Sequence, residues 1–192
     1  VVAHAVSFLK EFVTKPQEVG AIVPSSRELA RELVSGVDWS KVNTIIEYGP
    51  GLGAITEELV RYTQGKDFFV VELNEAYASA FEKRYPQVPL YRDSVANVGE
   101  LVKERAIESV DCIVSGLPWA NFSEAVQDEL LDATLEVMSP RAHFATYVYI
   151  HGLFLKSGKR FREKLESRFR GVERSSIVWR NAPPAVVYHC HR

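Results

Sequence analysis

The sequence is poor in cysteine: Cys112 and Cys190 are its two thiols in 192 residues. Two cysteines cannot build a disulfide framework. Each lies in an apolar, strand-like run, so both read as reduced core thiols of a cytoplasmic protein. No uncharged apolar run reaches about 18 residues, which excludes a membrane-spanning helix. A secretory leader is not expected either, since the opening stretch carries His4, Lys10 and Glu11 among its apolar positions. Repeats and low-complexity tracts are missing. So is a metal-ligand cluster: His189 and His191 share a strand face around Cys190, but two residues are too few for a metal.

What remains is an ordinary globular composition, 46% hydrophobic and 25% charged, of a length that suits one domain with one substantial core. The net charge of −2 hides an asymmetry. Residues 141–192 hold 11 Lys+Arg against 3 Asp+Glu, leaving 12 against 22 in residues 1–140. That distribution argues against a uniformly basic nucleic-acid binder. In the last third it allows either a basic face or solvated charge on a surface helix.

Residues 2–13 place Val2, Val6, Leu9, Phe12 and Val13 at near-helical spacing, and Pro16 stops the pattern. Ser25 or Ser26 can cap a helix over 27–35. From residue 42, strands (42–48, 68–73, 88–91, 110–115, 143–150) alternate with helices (55–62, 75–85, 98–105, 124–137, 160–169). This α/β alternation predicts a largely parallel sheet with helices on both faces. Residues 176–180 and 186–190 are β-rich, and the five residues between them cannot hold a crossover helix. The last two strands should therefore pair antiparallel.

The segment Glu47-Tyr48-Gly49-Pro50-Gly51-Leu52-Gly53 stands where the first strand hands over to a helix. Glycines there let backbone turn tightly and approach a ligand, with the helix N-terminus aimed at the same crevice. The G-x-G-x-G spacing after an acid resembles motif I of S-adenosylmethionine-dependent methyltransferases. That resemblance implies the Rossmann-like class I fold, a seven-stranded, mostly parallel sheet whose last strand is antiparallel. It further implies that Gly49, Gly51 and Gly53 face the methionine and ribose of the cofactor, with Glu47 near its amino group. Glu72, with Leu73, closes the second strand, where a carboxylate can accept ribose hydroxyls; the alternative is a strand-end acid meeting a helix N-terminus. Asp93-Ser94 follows the third strand, where the family reads adenine; the alternative is a helix cap. Ser115-Gly116-Leu117-Pro118-Trp119 ends the fourth strand, over the crevice where the reactive methyl should project. No metal is expected.

Gly116-Leu117-Pro118-Trp119 resembles the Asn-Leu-Pro-aromatic signature of enzymes that methylate adenine in ribosomal RNA, but Gly116 replaces the Asn. An aliphatic amine does not need that acceptor. The chain resembles, more specifically, the bacterial phospholipid N-methyltransferases. The matching pieces are Phe8-Leu9-Lys10 and Phe12, 19–26 with its Pro24-Ser25-Ser26, Glu47–Gly53, Ser115–Pro118, and Trp179–Ala185. That resemblance implies stepwise methylation of phosphatidylethanolamine, with S-adenosylhomocysteine as by-product. Ser25 and Ser26 join the cofactor site; Gly116, Leu117, Pro118, Trp119, Tyr147 and His151 are the catalytic candidates. Trp119, Phe122, Tyr147 and Tyr149 offer aromatic faces to a quaternary ammonium. His151 can accept the amine proton, and Lys156 or Arg180 can meet the lipid phosphate. Residues 1–35 are expected to form an amphipathic helix and cap, and 36–192 the methyltransferase domain. The helix over 2–13 would lie on the membrane or pack on the domain. Lys156, Lys159, Arg160, Arg162 and Lys164 would meet anionic lipid on the inner membrane face. A monomer without nucleic-acid partner is expected. The alternatives are an RNA adenine N6-methyltransferase and a catalytically idle, cofactor-binding membrane adaptor.

Overall fold

The structure, a computed structural model, describes residues 25–192. The helix expected over 2–13 and the matching stretch 19–24 lie outside the described residues. Seven strands form one sheet: β1 (Thr44–Tyr48), β2 (Asp67–Val71), β3 (Leu90–Tyr91), β4 (Val110–Ser115), β5 (Met138–Tyr149), β6 (Gly171–Arg174) and β7 (Ala185–His191). Their order is β3-β2-β1-β4-β5-β7-β6. β1 to β5 pair in parallel, and β7 lies antiparallel to both β5 and β6. This is the class I methyltransferase sheet that the resemblance implies. The order reverses beside β1, so β1 and β4 open a crevice at their carboxyl ends.

Six α-helices accompany the sheet among the described residues: α1 (Arg27–Ser35), α2 (Thr56–Leu59), α3 (Glu75–Arg84), α4 (Val98–Glu104), α5 (Glu124–Val137) and α6 (Lys156–Arg168). The strands are apolar on both sides because both faces are covered. On one face β1 and β4 bury Ile46 and Ile113 against α4, α5 and α6. On the other, Ile45, Cys112 and Val114 pack against Leu29, Ala30, Leu33 and Val34 of α1. Residues 27–35, grouped by the sequence with the N-terminal cap, are thus part of the domain core. Cys112 and Cys190 are free, buried thiols.

Three boundaries differ from expectation. The helix over 55–62 is regular only across Thr56–Leu59; Arg61 and Tyr62 close three-residue turns onto Glu58 and Leu59 instead. The penultimate strand runs over 171–174, not 176–180, where only Val178 bridges Ala185. Ser175 explains the break: its hydroxyl takes the Val187 amide that would have continued the ladder, and residues 176–184 loop away. Helix α6 starts at Lys156, a turn earlier than predicted. At the other end of the sheet His143 and His189 share a ring-nitrogen hydrogen bond of 3.1 Å. Burial and the neighbouring imidazoles push His143 down to about 3, so it packs as a neutral ring.

Trp119 anchors the loop after β4. Its ring is fully buried, stacked on Phe161 of α6 at 5.0 Å and edge-on to Phe122 and Phe144. Phe161→Ala removes that stacking partner from a closed core, and should destabilise the fold by about 3–5 kcal/mol in chemical denaturation.

Candidate active site

The crevice floor is made where β1 and β4 end. Gly49, Gly51 and Gly53 all have positive φ (64°, 54° and 83°), so the loop leaves β1 through left-handed turns. Gly53 also packs against Tyr85: a Cβ there would lie 2.2 Å from the ring. The Tyr85 hydroxyl donates to Gly53 O at 3.1 Å, and Arg84 donates to Leu52 O at 3.0 Å. The end of α3 thus clamps the outer carbonyls of the glycine loop. Across the crevice, Gly116 N–H donates to Tyr48 O at 2.8 Å. A Cβ on Gly116 would stand 2.7 Å from Gly49 O and 3.4 Å from Tyr48 O. Because those obstacles are backbone, this loop has no room for an asparagine at 116.

Two carboxylates lie beneath the loop. Glu47 is fully buried; its Oε2 accepts from Thr56 Oγ1 at 2.6 Å, and its Oε1 has no partner among the described residues. Burial pushes it up to about 8, with the Glu72 charge adding to the rise. Glu72 accepts from the amides of Gly51 (3.1 Å) and Asn74 (2.8 Å), tying the glycine loop to the end of β2. Burial raises its pKa as well. Each Glu72 oxygen keeps a lone pair for a further donor. Leu73, beside it, is half-buried. Asp93 Oδ1 accepts from Ser94 N–H and from Asn97 Nδ2. The Ser94 hydroxyl caps the short turn over 95–97, so the capping alternative holds for that side chain.

The structure separates the remaining candidates. Ser115 Oγ is committed to the loop, accepting from Trp119 Nε1 (2.9 Å) and Leu117 N–H (3.3 Å). Trp119 and Phe122, expected as open aromatic faces for an ammonium, are 0% and 3% exposed and belong to the core. The reason is α6: Phe161 takes the Trp119 face, a contact no local pattern announces. Tyr147, Tyr149 and His151 do come together, lining a small cleft with Pro118, Trp119 and Asn121. Tyr149 meets Tyr147 edge-on at 5.4 Å and stacks on His151 at 5.6 Å. Burial raises the Tyr147 hydroxyl, within hydrogen-bonding reach of Tyr149 and Ser25. Ser26 caps α1, and its amide donates to Asn181 Oδ1 at 2.8 Å, joining the two ends of the chain's described part.

The basic cluster is smaller than the sequence suggests. Lys164 turns inward to Asp128 and Glu124, Arg160 pairs with Glu124, and Arg162 pairs with Glu166. Lys156 and Lys159 are left exposed without an ion pair among the described residues. Arg180 is exposed beside Glu28 at 3.4 Å. Residues missed in the sequence act from behind. Gln127 donates to Trp119 O (2.8 Å), Ser157 to Ala120 O (2.6 Å) and Thr146 to Ser115 O (3.2 Å). They sit on three other elements, and nothing in their own segments marks them.

The crevice suits a cationic cofactor such as S-adenosylmethionine. An unpartnered buried carboxylate oxygen lies at its base, and Gly51 leaves open space on the loop. Among the described residues no group of His, Cys, Asp and Glu could hold a metal. Glu47 has a sign-definite consequence. Between pH 4.5 and about 8 the folded chain keeps a proton that the unfolded chain has released, so stability falls as pH rises through that window. Glu47→Gln should therefore raise Tm at pH 8 and leave it unchanged below pH 4. Cofactor affinity, followed by calorimetry, should climb towards pH 8 in the parent and be weak and flat in the variant.

No protein-family model matches the chain. It is 25% identical over 187 residues, covering 95% of this chain and 93% of the other, to an ornithine lipid N-methyltransferase of Singulisphaera acidiphila. A ribosomal RNA small subunit methyltransferase A of Hydrogenobaculum sp. is 34% identical, but over 38% of this chain and 29% of its own. Among solved structures, a TehB-like S-adenosylmethionine-dependent methyltransferase of Corynebacterium glutamicum covers the whole of both chains at TM-score 0.60 and 15% identity. Magnesium protoporphyrin IX methyltransferase of Synechocystis, solved with S-adenosylmethionine, covers 94% of this chain and 84% of its own at TM-score 0.63 and 11% identity. The chain has the fold of the class I S-adenosylmethionine-dependent methyltransferases, and its sequence likeness along nearly the whole length is to a bacterial lipid N-methyltransferase.

Proposed function

We propose that the chain methylates the amine of a membrane lipid, carrying methyl groups from S-adenosylmethionine to phosphatidylethanolamine and its mono- and dimethyl forms, towards phosphatidylcholine. The full-length likeness to a lipid N-methyltransferase carries this reading. The backbone pressed against Gly116 supports it, because it leaves no place for the amide that an adenine acceptor would use. Two ribosomal RNA methyltransferase relatives match 38% and 58% of the chain, and less than two fifths of their own length.

When bound, the cofactor supplies an electrophilic methyl on sulfur, so the chain must hold, align and manage a proton. Gly49, Gly51, Gly53, Glu47 and Glu72 hold its methionine and ribose side, and Asp93 its adenine side. The 116–121 loop, braced by Ser115, Gln127 and Ser157, sets the acceptor in line and keeps its own backbone still. A lipid amine arrives as an ammonium and must lose a proton before its lone pair can attack. His151, exposed at the cleft, takes that proton. Tyr147 and Tyr149 offer ring surface to the methylated ammonium. Lys156 or Arg180 meets the lipid phosphate.

Incubation with a labelled methyl donor should label phosphatidylethanolamine in liposomes, with ornithine lipid and ribosomal RNA as parallel acceptors. Label on RNA with none on lipid would falsify the reading, and label on ornithine lipid alone would move the acceptor to that head group. Tyr149→Ala should slow the last methylation about tenfold, seen as accumulating dimethyl product by mass spectrometry.

A further inference from the structure

Five large apolar side chains are exposed among the described residues: Leu52 (45%), Phe154 (79%), Leu155 (45%), Ile177 (36%) and Trp179 (69%). Single exposed apolar residues are ordinary. Their placement is not, because all five lie at the crevice end of the sheet. Leu52 sits in the loop leaving β1. Phe154 and Leu155 follow β5, whose last residue Tyr149 pairs with Ala185, the first of β7. Ile177 and Trp179 precede β7, and Val178 between them bridges Ala185. Apolar residues gathered around the mouth of a site mark an interaction surface.

The charges there select the partner. Glu57 is taken up by Arg27 and Arg84, Glu124 by Arg160 and Lys164, and Glu28 is met by Arg180. Lys156 and Lys159 have no ion pair among the described residues, and the Arg180 side chain stays 82% exposed. The start of α6 breaks the rules of a stable helix end. Its cap residue is Leu155, with no capping hydrogen bond, its first turn holds no acid, and Lys156 stands at the positive end of the dipole. A surface rich in phosphates would offset all three.

We infer that this rim is a docking face for an anionic phospholipid bilayer. Phe154, Leu155 and Trp179 enter the boundary between head groups and acyl chains, and Lys156, Lys159 and Arg180 meet phosphates. The Tyr147–Tyr149–His151 cleft opens on the same rim, so an acceptor amine reaches it without its acyl chains leaving the bilayer. In that last respect the inference rests on the lipid reading above; the docking itself does not.

Trp179 is far more exposed than Trp39 or the fully buried Trp119, and so reports on its own surface. The full chain should co-sediment with vesicles of phosphatidylethanolamine and phosphatidylglycerol, its tryptophan emission shifting to the blue, and bind pure phosphatidylcholine vesicles weakly. F154S/L155A and W179S should each lower partitioning about tenfold, with Tm and cofactor affinity unchanged. Both variants should methylate short-chain phosphatidylethanolamine dissolved below its micelle concentration at the parent rate. Undiminished vesicle binding by the variants overturns the docking face. So does a dimer in light scattering that the variants dissolve without a vesicle defect, which would make the occupant a second copy. Vesicle binding lost in the variants supports the docking face even where the parent leaves the dissolved lipid unmethylated, a result that counts against the acceptor alone.

Discussion

The crevice depends on how closely β1 and β4 approach at their carboxyl ends. Gly116 donates to Tyr48 O, and its missing side chain leaves the space that Gly49 O occupies. A Cβ on Gly116 would require backbone to move, which no rotamer change can relieve, whereas one on Gly49 would meet the Leu117 side chain. The same contact brings the glycine loop and the loop after β4 together. It also excludes a side-chain amide at 116, since that amide and the present backbone cannot share the same place.

Stability is spent to keep this floor polar. Glu47 is buried with one oxygen unsatisfied, and Glu72 is buried nearby and raises it further. Such a pair is unfavourable in the folded chain alone and becomes favourable when a cation settles above it. Around it the structure is heavily braced: Tyr85 and Arg84 clamp the glycine loop, while Ser115, Gln127 and Ser157 hold the loop after β4. Strain at the centre and bracing at the edge are the two halves of one preorganised site.

Legibility followed the range of the interactions. The strand–helix alternation and the antiparallel end were readable because both faces of the sheet impose short-range periodicity. The glycine loop was readable because left-handed turns demand a residue type. The strand expected at 176–180 was misplaced because its β-rich residues outweighed a single Ser175 hydroxyl that captures a ladder amide. Trp119 and Phe122 read as open aromatic faces after a strand, but α6, some 40 residues later, covers them. Lys164 read as part of a basic surface and is instead folded onto Asp128.

By itself the sequence determined the sheet, the cofactor loop and the acids that flank it, because each follows from local pattern or backbone geometry. Only the tertiary structure decided which candidates share one cleft. It kept Tyr147, Tyr149 and His151, withdrew Trp119 and Phe122 into the core, and gathered the exposed Phe154, Leu155 and Trp179 around one mouth. Burial and ion pairing are set by segments distant in the chain, and no residue carries in its own neighbourhood a record of what will cover it.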